Sequence, residues 1–185
     1  MRWEGLFADL EAQARALATA EAGAEIGDRT RSETGRLGLC DRLRPAVGYP
    51  IRVTADGRLA LAGRLDRVHP EWLLLSEQGG REAIVRVDAV LAVGGVPRLS
   101  AAPETMSVVD ARIGFCLALR GVARDRSNVQ VHLRDGGVLA GTVDRVGADF
   151  LELAVHPGGE ARRRTEVQDM LVLPVHAVVA VRRQL

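Results

Sequence analysis

Clustered arginines are the residues whose type and spacing could do chemistry in this sequence. Three stand together at Arg162, Arg163 and Arg164, and two more follow at Arg182 and Arg183. Adjacent guanidinium groups on a loop can neutralise phosphates, which gives salt-sensitive binding without dependence on base sequence. The alternative is a solvated run of loop charges balanced by neighbouring glutamates. A nucleic-acid-binding patch is therefore one candidate site.

His176 is the residue that could extend such a patch. It alternates with Val175 and Ala177, so on a strand it would lie on the opposite face from them. There an imidazole could contact a base or a ring, although a histidine at such a position could equally be an ordinary surface residue. The remaining histidines are scattered without the spacing of metal ligands, so we expect no metal and no cofactor.

An enzyme is not indicated by the sequence. Asp66 and Asp144 recur in the same context, each followed by an arginine, and such pairs are more typical of turn-stabilising charges than of catalytic carboxylates. No glycine-rich phosphate loop joins a strand to a helix, and no nucleophile elbow is present. We therefore expect a non-enzymatic protein without catalytic residues.

Composition limits the possible partners. The formal net charge of +1 provides no global field to attract a polyanion, and the aromatic content of 3% leaves few platforms for stacked bases. All 25 basic residues in the Lys+Arg count are arginines, which we attribute to a G+C-rich genome. Because neither a signal segment nor a membrane-length apolar run is present, we expect a cytoplasmic protein with no membrane partner.

The elements that must position these residues occur in two copies. Residues 62–68 align with 140–146, at a constant offset (141 − 63 = 78). Residues 84–93 align with 172–181 at a larger offset (172 − 84 = 88), because the second copy carries ten extra residues that include the arginine triplet. Two copies are too few for a solenoid, so the repeat indicates tandem modules.

Each copy is expected to contain a short helix followed by strands. Residues 129–146 predict a β-hairpin: apolar and polar residues alternate, and Asp135-Gly136-Gly137 permits a tight reversal. Gly141 interrupts the second strand and marks a bend or a close backbone approach. The predicted organisation is an N-terminal amphipathic helix and linker at 1–36, a helix and barrel at 37–96, a linker at 97–109, and a second helix and barrel at 110–185.

The pattern Val-x-Val-x-Leu-x-Asp-Gly-x-x-Leu-x-Gly-Thr-Val-Asp, which begins at Val129, resembles the Sm-like family. Phe150 begins a segment where that family has its third strand, and His176-Ala177-Val178 is similar to a late segment of bacterial Sm-like proteins. The resemblance implies a mainly β protein of two tandem Sm-like or SH3-like five-stranded barrels, each preceded by a short helix. It also implies RNA binding and often ring assembly. Leu151 stands where uracil-binding members carry an asparagine.

Two functions remain open at this point. The first is RNA binding through an arginine patch. The second is a protein-interaction, scaffold or oligomerisation module without nucleic-acid binding, in which barrel edges or the N-terminal helix hold a partner or form a homo-oligomer. The residues expected to bind nucleic acid in the first case are Arg162, Arg163, Arg164, His176, Arg182 and Arg183.

Overall fold

The computed structural model describes residues 34–101, 113–156 and 169–184. Both copies of the repeat lie in one compact unit, Leu39–Leu185. The predicted N-terminal helix lies outside the described residues, as do positions 102–109 of the predicted linker and the triplet 162–164. No helix within the described ranges has the length and apolar character needed to span a bilayer.

The first copy is a short helical segment followed by five strands. Helix α1 (Leu39–Leu43) passes into a 3-10 helix (Arg44–Ala46) that has Pro45 in its first turn. Buried and exposed residues alternate along β1, as the sequence pattern predicts for a half-buried strand. The strands are β1 (Pro50–Ala55), β2 (Leu59–Val68), β3 (Trp72–Glu77), β4 (Glu82–Arg86) and, after a 3-10 helix (Val87–Ala89), β5 (Val90–Gly94).

The second copy repeats this order of elements. Helix α2 (Phe115–Asp125) ends where Arg126 adopts a left-handed conformation, with φ of 52°. The predicted hairpin at 129–146 is confirmed, and Gly136 in its turn has φ of 90°. The strands are β6 (Asn128–Leu133), β7 (Val138–Val146), β8 (Phe150–Val155), β9 (Asp169–Pro174) and, after a 3-10 helix (Val175–Ala177), β10 (Val178–Arg183).

The ten described strands form one open antiparallel sheet, in the order β5-β1-β2-β3-β4-β10-β6-β7-β8-β9. The prediction of a mainly β fold is therefore confirmed, but one continuous sheet stands in place of two separate barrels. The copies join where β4 pairs with β10, with Val85 opposite Ala180 and Ile84 opposite Val181. This pairing has a physical reason, because it satisfies backbone groups that both strands would otherwise expose at an edge.

The strand register shows that the two copies are structural repeats. A bulge interrupts the pairing of β2 with β3 between Leu65 and Arg67, and the same bulge recurs between Val143 and Arg145. A Cβ atom on Gly63 would collide with a backbone carbonyl of β3, and one on Gly141 would collide with the equivalent carbonyl of β8. Of the bend or close approach expected at Gly141, the structure shows a close approach, and it requires glycine at this position in both copies.

Two hydrophobic cores lie along this sheet, and each receives residues from the other copy. The first core is built from strands β1–β4 and the helical segments of the first copy, and it also includes Val179 and Ala180 of β10. The second core surrounds Phe115 and Leu119 of α2 and includes Trp72 of β3. Because each core is completed across the junction, the two copies are expected to fold as one cooperative unit.

Candidate nucleic-acid interface

The structure does not gather the predicted site residues into one patch. His176 is exposed in the 3-10 helix before β10, and its carbonyl oxygen accepts a hydrogen bond from Nε of Arg134 at 2.7 Å. Arg182 and Arg183 lie at the far end of β10, where neighbouring side chains point to opposite faces of the sheet. The triplet 162–164 falls outside the described residues, so its role stays a prediction.

Arg182 and Arg183 both contact carboxylates. Arg182 forms a two-pronged ion pair with Glu77 of β3, in which Nη2 donates to Oε1 at 3.0 Å and Nε donates to Oε2. Arg183 lies 3.7 Å from a carboxylate oxygen of Glu82 and 3.5 Å from one of Asp125. The charge that either arginine can offer a phosphate is therefore partly compensated within the fold.

Arg182 nevertheless lines a groove together with three other arginines. This groove has a volume of about 910 Å³ and runs over β1, β2 and the end of β3. Its other basic residues are Arg52, Arg64 and Arg81. We call the concavity that these four arginines line the arginine groove.

The sheet register is what brings the arginine groove together. Arg52 is the outward residue of β1 opposite Ala62 of β2 and Gly94 of β5. Arg64 stands opposite Ser76 of β3. Arg81 follows the Gly79-Gly80 turn, whose two glycines have φ of 80° and 78°. Its carbonyl oxygen accepts a hydrogen bond from the Glu77 amide at 2.7 Å, which fixes the turn.

The electrostatics of the arginine groove favour an anion. Nε of Arg64 donates to Asp66 at 2.8 Å, and the Ser76 hydroxyl donates to the same carboxylate. Arg52 and Arg81 are both exposed, and neither forms an ion pair with another residue of the described ranges. Four guanidinium groups thus face two carboxylates, Asp66 and Glu77. The imbalance leaves local positive charge on a chain whose overall charge is close to neutral.

His132 lies on β6 opposite Ala180, close to the ion pair of Arg182 with Glu77. Burial lowers the pKa of His132, and the Arg182 guanidinium lowers it further, while Glu77 acts in the opposite direction. Its Nε2 atom is buried and has no hydrogen-bond partner among the described residues. The lowered pKa favours the neutral form of this imidazole beside the ion pair of Arg182 with Glu77.

Reasoning from the sequence missed three of the four groove residues. Arg52, Arg64 and Arg81 are dispersed along the chain, and each has only ordinary neighbours in the sequence. A usable signal was the difference between the aligned copies, because Gln130 and Thr142 stand in the second copy where Arg52 and Arg64 stand in the first. The groove therefore belongs to the first copy, and Arg182 reaches it from the second.

The geometry defines a class of protein: a duplicated, mainly β sheet protein with an arginine-lined groove on one copy. No family model matches the chain, and no match was found among curated proteins or solved structures.

Proposed function

We propose that this protein is a non-enzymatic Sm-like binding module that holds RNA by its phosphate backbone in the arginine groove. The observation that carries the proposal is the convergence of four guanidinium groups on a single concavity, two of them without carboxylate partners in the described ranges. Support for an Sm-like architecture comes from the strand order in each copy, in which the fifth strand lies beside the first and the fourth ends the set.

The four arginines would play two roles. Arg64 and Arg182 are held in place by Asp66 and Glu77, so their guanidinium planes are oriented before a ligand arrives. Arg52 and Arg81 would supply the net charge that binds phosphate oxygens. Because aromatic side chains are rare, base stacking would contribute little, and binding would depend weakly on sequence. The segment 162–164 and His176 remain predicted additional contacts.

Fluorescence anisotropy with a short, labelled single-stranded RNA of mixed sequence tests this proposal. Each phosphate contact contributes about 0.7 to the slope of log affinity against log salt for single strands. We therefore expect the double variant Arg52→Ala with Arg81→Ala to bind more weakly and to lose about 1.4 from that slope. Arg67→Ala with Arg145→Ala, which removes two exposed arginines outside the groove, is the matched control.

Two results would count against an RNA-binding groove. One is the absence of binding by the wild-type protein at micromolar concentration in low salt. The other is an equal loss of binding in the groove variant and in the control. A separate triple variant, Arg162→Ala, Arg163→Ala and Arg164→Ala, measures the contribution of the predicted patch. If only the triple variant loses affinity, RNA binds at the insertion and the groove has no part in it.

The second candidate function is a self-assembling scaffold without nucleic-acid binding. Large exposed hydrophobic residues on the two end strands of the sheet favour it, because Leu91 on β5 is 66% exposed and Val172 on β9 is 61% exposed. This function predicts a particle larger than one chain that forms in the absence of RNA. Mass measurement on nuclease-treated protein therefore separates the two candidates.

A further inference from the structure

A second cavity lies between helix α2 and the sheet, at the junction of the two copies. Its volume is about 200 Å³, and it is bounded by α2, by the turn after α2, and by strands β3, β4, β6 and β10. Neighbouring side chains on a strand point to opposite faces, so Arg182 lines the arginine groove whereas Arg183 lines this cavity. We call it the junction cavity.

The interior of the junction cavity is apolar. Val129 and Val181 are 1% and 2% exposed and belong to the second hydrophobic core. Gly121 of α2 contributes no side chain, and a Cβ atom there would meet nothing within 4 Å. A cavity of about 150 Å³ with an apolar lining holds benzene, so this one has room for a six-membered ring that carries a short chain. The apolar side chains that line it are Leu74, Ile84, Val122, Val129 and Val181.

Charged side chains line the solvent-exposed part of the cavity. Arg183 lies 3.7 Å from a carboxylate oxygen of Glu82 and 3.5 Å from one of Asp125. Both distances are longer than the roughly 2.7–2.9 Å of a charge-assisted hydrogen bond, so both carboxylates can still accept hydrogen bonds from a ligand. The Ser127 hydroxyl donates to Asp125 and holds that carboxylate in place. The lining thus carries two negative charges and one positive charge.

The end of α2 adds to this negative character. Asp125 is the last residue of an eleven-residue helix, and the free carbonyl groups at a helix C-terminus carry partial negative charge. A cation is therefore favoured over an anion at this side of the cavity. An ammonium group suits the site, because it is compact and donates three hydrogen bonds.

We propose that the junction cavity binds a small primary amine with an apolar body, such as an arylalkylamine. The apolar body would fill the cavity, and the ammonium group would lie within reach of Glu82 and Asp125. Each carboxylate has two oxygens, so it can accept from the ligand while it stays close to Arg183. Neither RNA nor a second copy of the chain takes part, so this site is independent of both candidate functions.

Three probes that share a phenyl ring and a short chain test the chemistry of the site. They are phenethylamine, phenethyl alcohol and phenylpropionate, and NMR titration of the isotope-labelled full chain measures their affinities. The amine should bind with a Kd on the order of 0.1–1 mM, the neutral alcohol more weakly, and the acid most weakly. Acid binding as tight as amine binding, or no amine binding at millimolar concentration, would overturn the proposal.

Replacing the two carboxylates tests their part in recognition. Glu82→Gln with Asp125→Asn should weaken amine binding by about 3–10-fold and leave alcohol binding unchanged, because only the amine is charged. The matched control, Asp149→Asn with Asp169→Asn, neutralises two exposed carboxylates outside the cavity and should bind the amine as the wild type does. An equal loss in both variants would contradict recognition by Glu82 and Asp125.

The same titration locates the site. Amide shifts should centre on residues 121–129 and 181–183. Gly121→Leu puts a side chain at the wall of the cavity, in a helix that tolerates leucine well, and should weaken amine and alcohol binding alike. The groove variant Arg52→Ala with Arg81→Ala should bind the amine normally, which separates this site from RNA binding. Shifts centred elsewhere, or unchanged binding by Gly121→Leu, would overturn the assignment to this cavity.

Discussion

The same chemical change, glycine to alanine, should shift stability in opposite directions at two positions of this fold. At Gly141 the added methyl group would overlap the carbonyl of Ala154 in the neighbouring strand, which is backbone and cannot rotate away. At Gly121, inside helix α2, a Cβ atom meets nothing within 4 Å. The comparison isolates the close approach of β7 to β8, because the same group is added at both sites.

The magnitudes follow from these surroundings. Alanine is more favourable than glycine inside a helix by about 1 kcal/mol, so Gly121→Ala should raise the free energy of unfolding by about that amount. Forcing a methyl group into a packed site typically costs about 1–3 kcal/mol, so Gly141→Ala should lower it by that range. For a chain of this size, about 1 kcal/mol corresponds to a change in Tm of about 2–4 °C.

Urea titration followed by circular dichroism measures both variants against the wild type. Gly63→Ala is the internal replicate, because its Cβ would meet the carbonyl of Ser76 in the same way. It should lower stability by an amount similar to Gly141→Ala. The reasoning would be refuted if Gly141→Ala were neutral or stabilising, since an alanine normally strengthens a strand where space permits.

Two further predictions concern Arg134, which pairs with carboxylates of the first copy, and the partly buried His132. Arg134→Ala removes ion pairs with Asp56 and with Asp88, which lies 3.1 Å away, and should lower the free energy of unfolding by about 1 kcal/mol. Arg145→Ala removes a single pair whose arginine is more exposed, and should change the free energy of unfolding by less than about half as much. Equal effects in urea titration would contradict this. His132 has a lowered pKa in the folded state, so the unfolded chain binds its proton first as the pH falls below about 6.5. The contribution of His132 to the free energy of unfolding should therefore be fully present above that pH, and below it this free energy should decline by at most about 1.4 kcal/mol per pH unit. His132→Gln should flatten this part of the pH profile. An unchanged profile would contradict the lowered pKa of His132.

Local patterns in the sequence predicted the elements of this fold well. The hairpin around Asp135-Gly136-Gly137 and the break between the fourth and fifth strands of the second copy follow from alternation, glycine and proline, which act over a few residues. The apolar run at 83–93 is compatible, from its sequence alone, with one long bent strand or with two short strands, and the structure has two, separated by a 3-10 helix. Turns and strand breaks of this kind depend on residues within the segment itself, so the sequence alone can predict them.

The junction between the copies could not be predicted in the same way. Alternation shows that one face of β4 and β10 is buried, but it does not show which strand lies beside each of them. For the same reason, the sequence could not show which residues come together in the candidate site. Arg182 stood out because another arginine follows it, yet its partner Glu77 is 105 residues away in the chain. Arg52, Arg64 and Arg81 become neighbours only through strand register, and no run of charge marks them.

The internal repeat gives the described part of one chain both a charged groove and two sheet edges. The pairing of β4 with β10 lies within the chain, and the two copies differ at their remaining surfaces. The first copy has arginines where the second has Gln130 and Thr142, so only one copy offers a basic groove. Leu91 on β5 and Val172 on β9 are exposed apolar residues in the described chain. Exposed apolar side chains on strand edges are a template for pairing with a further strand, which is the observation that favours the scaffold as the second candidate function.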